Sequence, residues 1–266
     1  MTTAINFNGS IPQYYEDYLT KFLFEGFAED IVNRVVRSDA LKVLELASGT
    51  GCVTRHLLDR LPDTARLTAT DLQEGMLEVA KKSINASNLD WAIADMTSIP
   101  YKDNLFNVVV CQFGVMLVPG KLKALREIYR VLKPGGQLVF NVWGNIEANA
   151  VWDIGNSVIG TFLQSNPILQ DPGPFSMNED TTVQLLKDAG FANIKSAVVN
   201  QTGSIENAAM AAKGFIEGLP VVLAISKRDP ALVPRIQQAL EQELIQRLGD
   251  HPLQSPLQAL VFESYK

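Results

Sequence analysis

The chain has 266 residues, 47% of them hydrophobic and 20% charged, enough for one large core that needs neither disulfides nor a metal to hold it. A net charge of −6, with no dense Lys/Arg run, argues against nucleic acid or an anionic membrane surface as a partner. No apolar stretch reaches bilayer length, the first ten residues lack the basic-then-apolar pattern of a secretory signal, and two well-separated cysteines suit a reducing, cytoplasmic compartment.

In chain order, residues 12–37 read as an amphipathic helix or helix pair, rich in aromatics near its start. A short apolar strand, 41–46, runs into a glycine loop, and a helix over 52–61 stops before Pro62. The β-branched run 66–71 predicts a second strand, 73–85 a helix, and 90–93 a short third strand. Residues 105–113 are almost continuously apolar, as in a strand buried on both faces. A helix over 121–132 ends at Pro134 and two glycines, and 137–143 predicts a fifth strand.

Beyond this the pattern loosens. Residues 150–177 mix helical pieces with prolines, 181–191 predicts a helix, 193–201 a strand, 205–249 helices broken near Gly218–Pro220, and 257–266 a terminal strand. No repeat or linker is evident, so 1–266 reads as a single domain. Segments 1–30, 146–177 and 204–250 are candidates to cover a substrate. Strand–helix alternation implies an α/β fold: a doubly wound, mostly parallel sheet with helices on both faces.

Three features carry chemistry. Glu45-Leu46-Ala47-Ser48-Gly49-Thr50-Gly51 lies between a strand and a helix, where glycines let a ligand approach the backbone beside a helix N-terminus. Asp71 ends the second strand, at about the distance from the loop where an acidic residue binds ribose hydroxyls in dinucleotide folds; the same position also suits a helix cap. Asp95 follows the third strand, where a carboxylate accepts from an exocyclic amine or simply closes a turn.

VLELASGTG, TATDLQEGML, AIADMTSIPY and EIYRVLKPGG, in this order, resemble the motifs of class I S-adenosylmethionine-dependent methyltransferases, in particular the ubiquinone-biosynthesis-type small-molecule group. The resemblance is strong over roughly 40–145. It implies a Rossmann-like, seven-stranded sheet with its last strand antiparallel, S-adenosyl-L-methionine as cofactor, S-adenosyl-L-homocysteine as product and a small-molecule acceptor. It departs where the family loop often carries a glycine at the place of Ala47, and an Asp at the place of Asn107.

By that resemblance Ala47, Gly49 and Gly51 would admit the methionine part of the cofactor, with Glu45 beside its polar groups. Asp71 would hold the ribose, Leu72 and Met76 would pack near the adenine, and Asp95 with Met96 would read its edge. Gln112 and Phe113 would lie near the transferred methyl, and an N-terminal aromatic such as Tyr18 would close the site over the cofactor. Tyr14, Phe113 and Trp143 are the candidate acceptor contacts, and Phe162, Leu163, Phe175, Phe215 and Ile216 lie in the candidate cover. His56 and His251, and Cys52 and Cys111, have no metal-ligand spacing, so no metal is expected. Two other readings remain: a nicotinamide-dependent oxidoreductase, whose third loop glycine would fall at Thr54, and a methyltransferase-like binding or regulatory protein.

Overall fold

The computed structural model describes residues 7–35, 41–164 and 167–266. It opens with α1 (Ile11–Tyr14), a π-helical stretch (Tyr15–Phe24) and α2 (Glu25–Asn33). Then follow β1 (Lys42–Leu46), α3 (Cys52–Arg60), β2 (Arg66–Asp71), α4 (Glu74–Ser83), β3 (Leu89–Ile93), β4 (Phe106–Gln112), α5 (Lys121–Val131) and β5 (Leu132–Trp143). The last third holds α6 (Ala150–Leu163), α7 (Glu179–Ala189), β6 (Ala192–Ile205), α8 (Ala208–Glu217), α9 (Val221–Arg228), α10 (Leu232–Leu248) and β7 (Leu253–Tyr265).

One seven-stranded sheet runs β3-β2-β1-β4-β5-β7-β6. The first five strands pair in parallel, and β7 inserts antiparallel between β5 and β6. Strand order therefore reverses between β1 and β4, and open α/β sheets bind ligands outside the carboxyl ends of the strands at such a reversal. The apolar run predicted as a doubly buried strand is β4, in which Val108 to Cys111 are fully buried.

Two boundaries differ instructively from the sequence pattern. β5 begins at Leu132, so the Lys-Pro-Gly-Gly segment heads the strand instead of lying wholly between helix and strand. β6 and β7 extend past the predicted runs because they pair along almost their whole lengths, Ala192 against Tyr265 to Ile205 against Leu253. Such pairing satisfies backbone donors and acceptors whatever the side chains prefer.

The N-terminal helices lie over β4 and β5: Gln112 Nε2 reaches the Phe24 carbonyl at 3.4 Å and Gln137 Nε2 the Arg34 carbonyl at 2.9 Å. The predicted helix over 12–37 is broken by its π-helical middle turns. Elsewhere α5 packs on α7, and α10 packs on both α6 and α8. Among the described residues, no single helix is long and apolar enough to cross a membrane.

Candidate cofactor and acceptor site

A cavity of about 450 Å³ opens at the carboxyl ends of β1, β2, β3 and β4. That falls within the roughly 300–1,000 Å³ of pockets that hold drug-sized ligands. Its floor is the loop after β1. Ala47 adopts a left-handed φ of 53°, Gly49 one of 56° and Gly51 one of 90°. Ala47 thus stands where a glycine would be unstrained, which is the physical meaning of the departure noted in the loop.

Asp71 ties this loop to the end of β2. Its Oδ2 accepts the Gly49 N–H at 2.8 Å and its Oδ1 the Gln73 N–H at 2.8 Å. The carboxylate is only 8% exposed yet lines the cavity, and burial raises its pKa against the backbone N–H groups of Gln73, Gly49 and Leu72. Gln73 precedes α4, so Asp71 also supports a helix start, as its position allowed.

Leu72, 49% exposed, and Met76 form an apolar shelf next to Asp71. Across the cavity Asp95 accepts the Thr97 N–H at 2.7 Å and stands exposed beside buried Met96. Gln112 and Phe113 close the β4 side. Phe113 takes a left-handed φ of 51° and donates its N–H to Asn141 Oδ1 at 2.9 Å, which turns its ring back onto the Trp143 ring, 4.0 Å away.

A smaller pocket of about 30 Å³ shares Tyr15, Ala47, Gly49 and Gln112 with the cavity and includes Glu45, Ser48 and Thr50. Glu45 is buried, and its Oε2 accepts the Thr54 hydroxyl at 2.6 Å. Burial pushes its pKa up to about 8, with Asp71 adding to the rise and Thr54 and Arg55 opposing it. A folded carboxyl that holds its proton more tightly than the unfolded chain stabilises the fold fully below the ordinary value of 4.5, and that contribution is lost as pH rises through about 8. Thermal melts of the ligand-free protein should therefore show stability falling by up to about 1.4 kcal/mol per pH unit across that window. Glu45→Gln should remove this component; an unchanged slope would mean that Glu45 stays ionised.

Five predicted site residues lie outside the cavity wall: Glu45, which lines the small pocket, and Tyr14, Tyr18, Gly51 and Trp143. Tyr14 and Tyr18 stack on each other, centroids 6.1 Å apart, with Lys213 Nζ 5.2 and 5.8 Å from their rings. Residues four apart share a helix face, so the pair turns away together while Tyr15 points inward. Gly51 backs onto Ile84, Ala80 and Trp91. Trp143, 1% exposed, stands behind Phe113 among Phe24, Phe27 and Trp152. The described lining also includes no residue of 146–177 or 204–250; Phe215 is instead packed against Trp152.

Sequence reasoning passed over Phe7, Thr97 and Lys123 on the cavity wall, and among the N-terminal aromatics Tyr14, Tyr15 and Tyr18 it did not separate out Tyr15, the one that lines the cavity. For Tyr15 a signal existed: Ile11, Tyr15 and Leu19 form an i, i+4 apolar stripe, and Ile11 and Leu19 are buried. The π-helical stretch that carries Tyr15 is pinned to the glycine loop by Thr20–Thr50 at 3.3 Å and Glu16–Arg55 at 3.3 Å. His56 pairs with Glu25 at 2.9 Å, and the buried Cys52 thiol reaches the same carboxylate. Burial holds the Cys52 thiol well above its usual range and pushes Cys111 up to about 12, so both stay protonated. Among the described residues no group of three or more His, Cys, Asp or Glu side chains is placed to hold a metal ion.

Residues 44–140 match the model of a methyltransferase domain. The chain is 31% identical over 170 residues to the ubiquinone/menaquinone biosynthesis C-methyltransferase UbiE of Roseobacter denitrificans, covering 58% of this chain and 67% of that one. It is 42% identical over 101 residues to the UbiE of Hydrogenovibrio crunogenus, covering 36% of this chain and only 40% of that relative's length. Among solved structures, phosphoethanolamine N-methyltransferase 2 of Haemonchus contortus, in complex with S-adenosyl-L-methionine, superposes with a TM-score of 0.60 at 15% identity. That superposition covers 96% of this chain and 56% of the other and bears on the fold alone.

Proposed function

The chain belongs to the class I S-adenosylmethionine-dependent methyltransferases, and on that premise we propose that it transfers the methyl group to a small, partly apolar acceptor. The observation that carries this reading is the convergence of the Asp71 carboxylate, the left-handed glycine loop and Asp95 on one cavity at the strand-order reversal.

The residues present fit the cofactor. A Cβ placed on Gly49 would meet no protein atom within 4 Å, so the loop leaves open space on the cavity side. The buried Ser48 hydroxyl, on the small polar pocket, has no hydrogen-bond partner among the described residues. Ala47, Gly49 and Ser48 would receive the amino-acid part there, with Glu45 beneath. Asp71 would accept from the ribose hydroxyls, since bonds to a carboxylate are the stronger kind. Leu72 and Met76 would flank the adenine, and Asp95 with the Met96 backbone would read its edge. Bound there, S-adenosylmethionine supplies a methyl already activated on a sulfonium. The chain's own task is then to align the acceptor and exclude water, and alignment by itself can supply several kcal/mol.

Phe113, Tyr15, Leu117 and Val118 make the cavity wall largely apolar, which favours an apolar metabolite over a charged polymer. The likeness to ubiquinone/menaquinone biosynthesis C-methyltransferases supports the same class of acceptor. Calorimetry should show saturable binding of S-adenosylmethionine and S-adenosylhomocysteine, unaffected by EDTA, and no binding of NADH. Tight NADH binding with no heat from S-adenosylhomocysteine would reverse the assignment.

A further inference from the structure

We propose that Gln112 and Asn141 form a recognition pair for a hydroxyl group on the acceptor, carried by a flat apolar scaffold; the proposal rests on the methyltransferase reading above. The two residues are direct neighbours across β4 and β5, in register with each other. Neighbours in register share a face of the sheet. Here it is the face covered by the N-terminal helices: Gln112 reaches the Phe24 carbonyl, and Trp143, two residues beyond Asn141, packs on Phe24 and Phe27.

The chemistry of their other partners orients both amides. The Asn141 amide faces the Phe113 N–H, so Oδ1 must accept and Nδ2 is left over. The Gln112 amide faces a carbonyl, so Nε2 must donate and Oε1 is left over. Both left-over atoms are buried, neither has a partner among the described residues, and they do not bond to each other. Asn141 is 0% exposed, and a buried amide group left unmade is costly to keep.

One free donor and one free acceptor side by side match a group that gives and takes a hydrogen bond at the same atom. A hydroxyl does this: it donates to Gln112 Oε1 and accepts from Asn141 Nδ2. A carbonyl would satisfy only Asn141, and an ammonium only Gln112. Gln112 also forms part of the wall of both the cavity and the small polar pocket, where an acceptor must approach the methyl. Around the pair stand Phe24, Phe113 and Trp143, with ring centroids 4.0 to 5.9 Å apart, which favours a planar apolar body behind the hydroxyl.

The test uses 2-naphthol and 2-methylnaphthalene, which differ by OH against CH3, titrated by ligand-observed NMR into protein saturated with S-adenosylhomocysteine. The wild type should prefer the naphthol at least tenfold. Gln112→Met, which leaves the Asn141–Phe113 bond in place, should bring the ratio close to one, and so should Asn141→Leu, with circular dichroism reporting that each variant is folded. Equal affinity for the two probes in the wild type, binding of neither, or a preference that survives Gln112→Met would overturn the proposal and leave the pair as the seat of a bridging water. Such a result with S-adenosylhomocysteine still bound leaves the methyltransferase reading standing. Failure of S-adenosylhomocysteine itself to bind removes that reading and the proposal together.

Discussion

Asp71→Ala should weaken S-adenosylhomocysteine binding by roughly ten- to a hundred-fold, the equivalent of about 1.5–3 kcal/mol for hydrogen bonds to a charged group. The carboxylate lines the cavity while each of its oxygens holds one backbone N–H, from Gly49 and from Gln73. Removing it takes away the ribose acceptor and loosens the loop that receives the rest of the cofactor. Calorimetric titration of the variant checks this, with a thermal melt to show that the fold persists. A dissociation constant equal to wild type would reduce Asp71 to a support for α4.

Gly51→Ala should destabilise the fold itself, by about 2–5 kcal/mol. A left-handed residue with a Cβ costs on the order of 1–2 kcal/mol. Forcing a buried neighbour aside costs about 1–3 kcal/mol more. At Gly51 both apply: φ is 90°, and a Cβ there would collide with the Ile84 side chain, itself buried. For a domain of this size the melting temperature should fall by roughly 10 °C. Gly49→Ala is the informative contrast. Its φ of 56° carries the backbone cost, but the added Cβ meets open space on the cavity side. Its effect should fall mainly on cofactor affinity. Equal melting temperatures for Gly51→Ala and wild type would show that the α3–α4 contact yields freely.

Much of the frame was legible because it is written in local chemistry. Strand and helix periodicity placed the first five strands, and the spacing of Ala47, Gly49, Asp71 and Asp95 along the chain put them all at carboxyl ends of strands. Parallel β-α-β connections leave little freedom in where those ends lie. Local patterns were also enough to name the buried strand β4, since a strand covered on both faces has to be apolar throughout.

Side-chain direction was not legible in the same way. Tyr14, Tyr15 and Tyr18 are equivalent as a list of aromatics, and the turn of the helix separates the one that faces the cavity from the two that stack outside it. Trp143 ends a strand on the right edge, yet the left-handed turn at Phe113 lays another ring in front of it. Lys123 reaches the wall from a segment that carries no motif, and Thr97 from the residue just after the Asp95-Met96 pair that the motif singled out. The pairing of Gln112 with Asn141 joins residues 29 apart in the chain, because β4 and β5 lie side by side in a register set by the α5 crossover and the burial of both strands. The chain alone determined which elements form and at which end of the sheet the chemistry gathers, since propensity, patterning and turn residues act over a few neighbours. Which side chains meet there depended on long-range packing, since a face, a register and a single left-handed residue decide contacts that no short window of sequence contains.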